Sequence, residues 1–446
     1  MRVFGTAGIR GVFNSTQIPE QVCDVALSSA FAFGKGVYGV GWDGRKSSQV
    51  LARAAAAGAC AAGSNAKLFG MVPTPVTAYA TREGGCKLGF SVTASHNPPE
   101  YSGVKMFDSR GMELSREYED RIERVMTVQV NKCVRNFGVI TYSDYLDQYV
   151  RSMVARFQGS AMAMKVVVDC ANGPGVLVTP RVLQELGHDV ITVNGQVSWR
   201  FPAHLPEPTP QTLTDTAAIV AGSGADLGFV HDGDADRLVM INAAGRILPD
   251  SMVSIIALRG LVGSRGSGTI VLSENTSSAV EEEAVRLGLR VVRSRIGKTF
   301  AEIEKECAFF ATEPSKVVNP EWGMWEDGMF CAALITNSIA RNAELLDLAY
   351  SEPSWHYKQV NMSVSVDFGK LVREAEAVFG EFGISEVRRL DGVKLIFKDQ
   401  SWIMFRASGT EPKVRIYCES RDPVRLGQLL ERGTRLLEEF SLQRVR

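Results

Sequence analysis

The chain of 446 residues has almost no net charge, with 49 Lys and Arg against 50 Asp and Glu. It therefore lacks the basic field that a nucleic-acid binder needs, and it has no acidic tail. A small anionic ligand has to be held by individual arginines and lysines. A disulfide or zinc framework is also missing. The eight cysteines (Cys23, Cys60, Cys86, Cys133, Cys170, Cys307, Cys331 and Cys418) contain no C-x-x-C pair, and the five histidines form no H-E-x-x-H arrangement. Cysteines scattered in this way read as reduced, mostly core residues of a cytoplasmic protein. There is no long apolar run either. The nearest, around Leu51 to Ala62, is mostly alanine and is interrupted by Arg53, too weak to span a bilayer. The start, Met1 to Thr6, lacks the apolar core of a signal peptide. The expectation is a cytoplasmic monomer or small homo-oligomer with no membrane or nucleic-acid partner.

What is present is a recurring order of elements. A strand candidate in Gly36 to Arg45, ending in Asp-Gly, is followed by an alanine-rich helix ending at Gly63, a strand at Ala66–Phe69, a helix restarted by Pro73, and a strand at Leu88–Val92. The same order returns from Lys165–Asp169 through Asp189–Val193 to Asp226–Val230. It returns again from Thr269–Leu272 through Arg290–Val292 to Ala308–Ala311. Three such copies predict three similar α/β domains with mixed, largely parallel sheets, in which ligands bind beyond the carboxyl ends of the strands. The last part differs: Val360–Val366 alternates, a helix spans about Gly369–Phe379, and Val393–Phe397 with Trp402–Phe405 reads as a hairpin. A C-terminal α+β domain is expected there. A chain this long needs several cores, and the divisions read as 1–150, 151–250, 251–352 and 353–446.

Each part sends a polar loop out of an apolar strand. The first is Thr93-Ala94-Ser95-His96-Asn97-Pro98, with Ser95 the candidate reacting hydroxyl. The second is Asp232-Gly233-Asp234-Ala235-Asp236-Arg237, whose carboxylates stand at i, i+2 and i+4 with small residues between them. On extended backbone that spacing turns all three to one side, where a hard cation such as Mg²⁺ relieves their repulsion. Arg237 then sits beside the metal, placed to stabilise a transferring phosphoryl group. The third loop offers Glu313 and Ser315 to sugar hydroxyls. The fourth, Arg406 to Lys413, contains Arg406, Ser408, Gly409 and Thr410, a set suited to a phosphate dianion. Arg10, in the glycine-rich opening Gly5 to Gly11, and Lys298 are further candidate phosphate contacts. His96 and His231 flank two of the loops. Lys105 lies on the continuation of the Ser95 loop, where a neighbouring cation would lower its pKa and suit it to proton transfer.

With these loops in order, the chain resembles the α-D-phosphohexomutase superfamily, the phosphoglucomutase, phosphomannomutase and phosphoglucosamine mutase group. Thr93–Pro98 resembles the family's phosphoserine loop, 232–237 its metal loop, 313–315 its sugar loop and 406–412 its phosphate loop. The resemblance implies four domains around a central cleft and an isomerase that interconverts hexose 1-phosphate and hexose 6-phosphate. Phosphoserine at Ser95, with Mg²⁺ held by Ser95, Asp232, Asp234 and Asp236, would pass its phosphoryl group through a hexose 1,6-bisphosphate, which also serves as activator. Lys105, Arg237 and His96 would be the catalytic partners. Glucose or mannose phosphate is the expected substrate. The alternatives are a phosphoglucosamine mutase, a sugar-phosphate binding protein with degenerate loops, or a phosphatase using the same metal. One departure stands out: many members continue the sugar loop as Glu-x-Ser-Gly-His, and here Lys316 and Val317 replace Gly and His.

Overall fold

Apolar runs of four to eight residues, bounded by glycine, asparagine or aspartate, become the strands of this protein. The computed structural model describes residues 3–5, 8–128, 136–159, 162–263, 267–407 and 413–442. They fall into two compact units. One comprises 1–265, 309–311 and 315–350; the other comprises 266–308, 312–314 and 351–446.

In the first unit, β1 (Ile9–Val12), β2 (Val37–Trp42), β3 (Asn65–Met71), β4 (Leu88–Val92), β5 (Tyr101–Asp108) and β6 (Ile140–Tyr142) form one sheet in the order β1-β5-β4-β2-β3-β6. Strands β4, β2, β3 and β6 are parallel, while β5 returns antiparallel to β4 and β1 antiparallel to β5. Alanine and glycine on the helix Ser48–Ala61 let it pack closely on the helix Pro19–Phe33. A Cβ at Gly58 would lie 2.1 Å from the carbonyl oxygen of Cys23. The second sheet contains β7 (Lys165–Asp169), β8 (Asp189–Val193), β9 (Leu227–Val230) and β10 (Val239–Asn242), in the order β10-β9-β7-β8, with only β10 antiparallel.

These two sheets end alike. A buried parallel strand delivers a polar loop and an antiparallel strand takes the chain back, with Ser95 between β4 and β5 and the three aspartates between β9 and β10. This corrects one expectation: Lys105 lies on a strand, opposite Ser91 in the β4–β5 ladder, and not on a continuation of the loop. Its alternation was obscured by serine and glycine, yet every residue from Ser102 to Asp108 is buried.

The second unit begins with β11 (Thr269–Ser273) and β12 (Arg290–Ser294), which are parallel and in register. Further along the chain comes β13 (Phe310–Glu313); β14 (Lys316–Val318) and the largely buried helix Gly328–Arg341 belong again to the first unit. The expected strand, helix, strand, helix, strand order is thus present three times. The C-terminal strands β15 (His356–Met362), β16 (Ile384–Arg388), β17 (Val393–Phe397), β18 (Trp402–Ala407) and β19 (Val414–Ser420) make an antiparallel sheet, β15-β19-β18-β17-β16. The expected hairpin is β17–β18. Leu371, Ala375 and Phe379 of one helix, and Leu429 and Leu437 of the last, join this sheet's apolar residues in one core. No helix among the described residues is long and apolar enough to cross a membrane.

Candidate active site

Ser95 is almost fully buried and has a positive φ of 50°, a conformation costly for a residue with a Cβ. Local hydrogen bonds hold it there. Its N–H donates to Thr93 Oγ1 at 2.8 Å, and the N–H of Asn97 closes a turn onto the Ala94 carbonyl at 3.0 Å. The hydroxyl donates to Asp232 Oδ2 at 2.7 Å and lies 3.4 Å from His96 Nδ1. Burial, with Arg237 and Arg10 nearby, pushes the His96 imidazole well below its ordinary pKa. Arg10, on β1, donates to the Asn97 side chain at 2.9 Å.

In the aspartate loop, a left-handed Ala235 (φ 61°) turns the chain so that the flanking carboxylates converge. One oxygen from each of Asp232, Asp234 and Asp236 lies within 4.8 Å of the others, and all three side chains are buried. Thr74 Oγ1 donates to Asp234 Oδ2 at 2.7 Å. Lys105 Nζ donates to the same oxygen at 2.9 Å and also to Asp236 Oδ2. Burial, then Asp236 and Asp234, pushes the Asp232 carboxyl up to about 8. Among the described residues, Asp234 Oδ1 and Asp236 Oδ1 accept no hydrogen bond. Converging buried carboxylates whose oxygens are not all hydrogen-bonded are a donor set that fits a divalent, oxygen-seeking cation.

The Lys105 pKa moves opposite to expectation. Burial lowers it, but Asp234 and Asp236 outweigh burial and raise it, because its neighbours are carboxylates. Arg237 Nε stands 3.9 Å from Asp232 and 4.0 Å from Asp236. His231 is a framework residue, with Nε2 2.8 Å from Thr179 Oγ1 and Nδ1 3.0 Å from the Arg237 carbonyl.

The second unit gathers other candidates. Glu313 Oε1 accepts from the Gly297 N–H at 2.8 Å and from Thr299 Oγ1 at 3.1 Å, which ties it to the segment that carries the exposed Lys298. Asp391 Oδ2 accepts from the Ile296 N–H and pairs with Arg406 Nε, each at 2.9 Å. Ser408, Gly409 and Thr410 lie outside the described residues, as do Thr6 and Ala7 of the glycine-rich opening.

Family models described as phosphoglucomutase/phosphomannomutase domains I, II and the C-terminal domain match residues 1–131, 141–245 and 361–435. A phosphopentomutase of Thermococcus kodakarensis is 35% identical over 97% of this chain and 96% of its own. A probable phosphoglucosamine mutase of Thermococcus gammatolerans is 32% identical over 98% of both. The crystal structure of a phosphoglucomutase/phosphomannomutase family protein from Burkholderia thailandensis superposes with a TM-score of 0.85 at 26% identity, covering 99% of this chain and 98% of that one. The chain belongs to the α-D-phosphohexomutase superfamily. It is an intramolecular phosphotransferase, an isomerase of the phosphomutase type.

Sequence reading missed several residues of this phosphomutase's candidate site. Arg45 is buried under the Ser95 loop. Its guanidinium donates to the carbonyls of Ser95 (2.7 Å), Asn97 (2.5 Å), Pro98 (2.6 Å) and Tyr101 (3.2 Å), and Nε pairs with buried Asp43 at 3.2 Å. The only signal was Asp43-Gly44-Arg45 at the end of β2. Lys316 lies 3.5 Å from Asp236 Oδ2 and pairs with Glu326, while Val317 is buried as an apolar residue. Glu113 joins the same electrostatic cluster, since its pKa, raised by burial, responds to Lys105, Lys316 and Asp236.

The two tryptophans after β14 have a structural role. Asp327 Oδ2 accepts from Trp322 Nε1 at 2.8 Å, from Trp325 Nε1 at 3.2 Å and from the Tyr149 hydroxyl. Its Oδ1 caps the helix Gly328–Arg341 at the Phe330 N–H, 2.9 Å away. This buried hub pins the segment that carries Lys316 and Glu326.

Proposed function

We propose that this phosphohexomutase interconverts hexose 1-phosphate and hexose 6-phosphate of glucose or mannose, through phosphorylated Ser95 and a hexose 1,6-bisphosphate. The observation that carries the reading is the buried, left-handed Ser95, whose hydroxyl is aimed at an aspartate triad in which two oxygens accept no hydrogen bond among the described residues. A sugar hydroxyl oxygen bonds to phosphorus as the bond from phosphorus to Ser95 Oγ breaks. The hydroxyl loses a proton and Ser95 gains one, so none is consumed. The bisphosphate then returns its other phosphoryl group to Ser95. Such transfer is governed by positioning and charge.

Lys105 is the proposed proton-transfer group by its place beside Asp234 and Asp236, with Arg237 and His96 as partners. Asp232, Asp234, Asp236 and a Ser95 oxygen would hold Mg²⁺, which when bound supplies positive charge to the phosphoryl oxygens. Glu313 and Ser315 are the proposed contacts to sugar hydroxyls. Arg10, Lys298, Arg406, Ser408, Gly409 and Thr410 are the proposed contacts to the phosphate not in transfer. The division at 1–150, 151–250, 251–352 and 353–446 belongs to the same proposal. The seven described cysteines are unbridged, which suits a reducing cytoplasm.

The identity to a phosphopentomutase favours a second reading, a pentose phosphate as substrate. Turnover of glucose, mannose, glucosamine and ribose phosphates by the purified protein separates the readings; release of inorganic phosphate without isomerisation would indicate a phosphatase. Intact-mass analysis before and after incubation with glucose 1,6-bisphosphate tests the mechanism. One added phosphate on the wild type and none on Ser95→Ala is expected. An unphosphorylated wild type with no mutase turnover would sink it.

A further inference from the structure

Lys316 opens β14, directly after Ser315. The local backbone explains where its side chain goes. Ser315 has a positive φ of 63°, and its carbonyl accepts from the Leu238 N–H at 2.9 Å, so β14 starts directly against the end of the aspartate loop. Neighbouring residues of a strand face opposite ways. Val317 turns into the apolar interior, and Lys316 turns toward Asp236, whose Oδ2 also receives Lys105.

The cluster holds five carboxylates (Asp232, Asp234, Asp236, Glu113 and Glu326) and four cations (Arg10, Lys105, Arg237 and Lys316). Their exposures differ in a way that matters. The aspartate side chains are 0 to 2% exposed and Lys105 is 5%, whereas Arg237 is 22% and Lys316 is 18%. A sugar phosphate arriving from solvent meets the cations that reach solvent. Lys316 is held in that place by Glu326, which is itself fixed next to the Asp327 hub.

We propose that Lys316 is a further catalytic cation of this enzyme, which engages the phosphoryl group passing between Ser95 and the sugar, and that Glu326 is its positioning residue. The proposal rests on the phosphomutase reading of the site. Lys316 keeps its proton throughout: it contributes charge, as a fixed electrostatic donor does. A pair present only for stability would behave differently, because deleting both of its members removes the cost of a lone buried charge.

The test compares wild type, Lys316→Met, Lys316→Arg, Glu326→Gln and the Lys316→Met/Glu326→Gln double variant, each metal-loaded. It measures kcat and KM for the best of the four sugar phosphates, together with thermal melting. Lys316→Met is expected to lose about 100-fold in kcat/KM, the scale of one deleted electrostatic donor, and Lys316→Arg to recover most of it. The double variant should melt like the wild type and stay as slow as Lys316→Met. Activity restored along with stability in the double variant, or Lys316→Met within twofold of wild type, overturns the proposal while leaving the mutase reading intact. A wild type with neither turnover nor phosphorylated Ser95 overturns both.

Discussion

Replacing Arg45 by methionine removes the guanidinium beneath the Ser95 loop while keeping a side chain of similar length. Four carbonyls and the Asp43 carboxylate lose their partner. The Asp43 pair alone is a buried ion pair, and stripping one partner from such a pair costs about 3–5 kcal/mol. Asp43 keeps hydrogen bonds from Ser48 Oγ at 2.6 Å and the Arg45 N–H at 3.0 Å, which places the loss toward the lower end. The carbonyls add to it, less where water reaches the partly exposed Asn97 and Pro98. Left-handed Ser95 stores roughly 1–2 kcal/mol that Arg45 helps to hold. Once released, Ser95 relaxes and its hydroxyl leaves Asp232. A displacement of about 1 Å is worth roughly 100-fold in rate. Arg45 is not one of the proposed sugar or phosphate contacts, so the loss should fall on kcat and leave KM nearly unchanged. Steady-state kinetics with glucose 1-phosphate, alongside denaturant unfolding, provides the assay. Arg45→Lys, with a point charge in place of the fork, should fall between wild type and Arg45→Met in both readouts. Wild-type kcat in Arg45→Met, or a variant that raises KM alone, refutes the reasoning.

Three further outcomes are expected. Asp234→Asn should lower activity by at least about 100-fold yet melt close to wild type in a chelating buffer, since Lys105 keeps Asp236 as a partner and the lost pair is offset by relieved repulsion among buried carboxylates; a large drop in melting temperature there would count against the triad as a cation site. Tyr149→Phe removes a donor from buried Asp327 and should cost about 1–3 kcal/mol in chemical unfolding, and an unchanged midpoint would show that the two tryptophans suffice. In the second unit, buried Lys394 sits 3.8 Å from the Trp402 ring centre and donates to the Glu274 carbonyl at 2.8 Å. Burial, then Arg293, lowers its pKa to about 7 against opposing pulls from Glu274 and Glu419. Between pH 7 and about 10 the unfolded chain keeps a proton that the folded chain has given up. Stability therefore rises with pH over that window, by at most about 1.4 kcal/mol per unit. Lys394→Met should lack that component when its unfolding is compared with wild type at pH 7 and pH 9.5, and parallel pH profiles would refute the assignment.

Local pattern carried the strands, because each is a buried run closed by turn-forming residues, and Leu88–Val92, Lys165–Asp169 and Asp189–Val193 were readable to the residue. Pattern also carried the loops, since Ser95 and the three aspartates lie in continuous polar stretches. What local pattern could not carry is convergence. Thr74 reaches Asp234 across 160 residues and Lys105 reaches the same carboxylate across 129. Both contacts depend on sheet register, which no window of sequence contains. Arg45 was hidden for a related reason: its partners are backbone carbonyls, and carbonyls leave no residue signature. Gly328 is a sharper instance. As the first residue of a helix it looks dispensable, yet a Cβ there would lie 2.1 Å from the Arg237 carbonyl oxygen, so the helix start and the aspartate loop must touch backbone to backbone. That contact brings Glu326 and Lys316 up to Asp236. The residue pair 316–317 therefore sets one charge beside Asp236 and one apolar side chain in the interior, with the glycine contact and the Asp327 hub fixing where the charge lands.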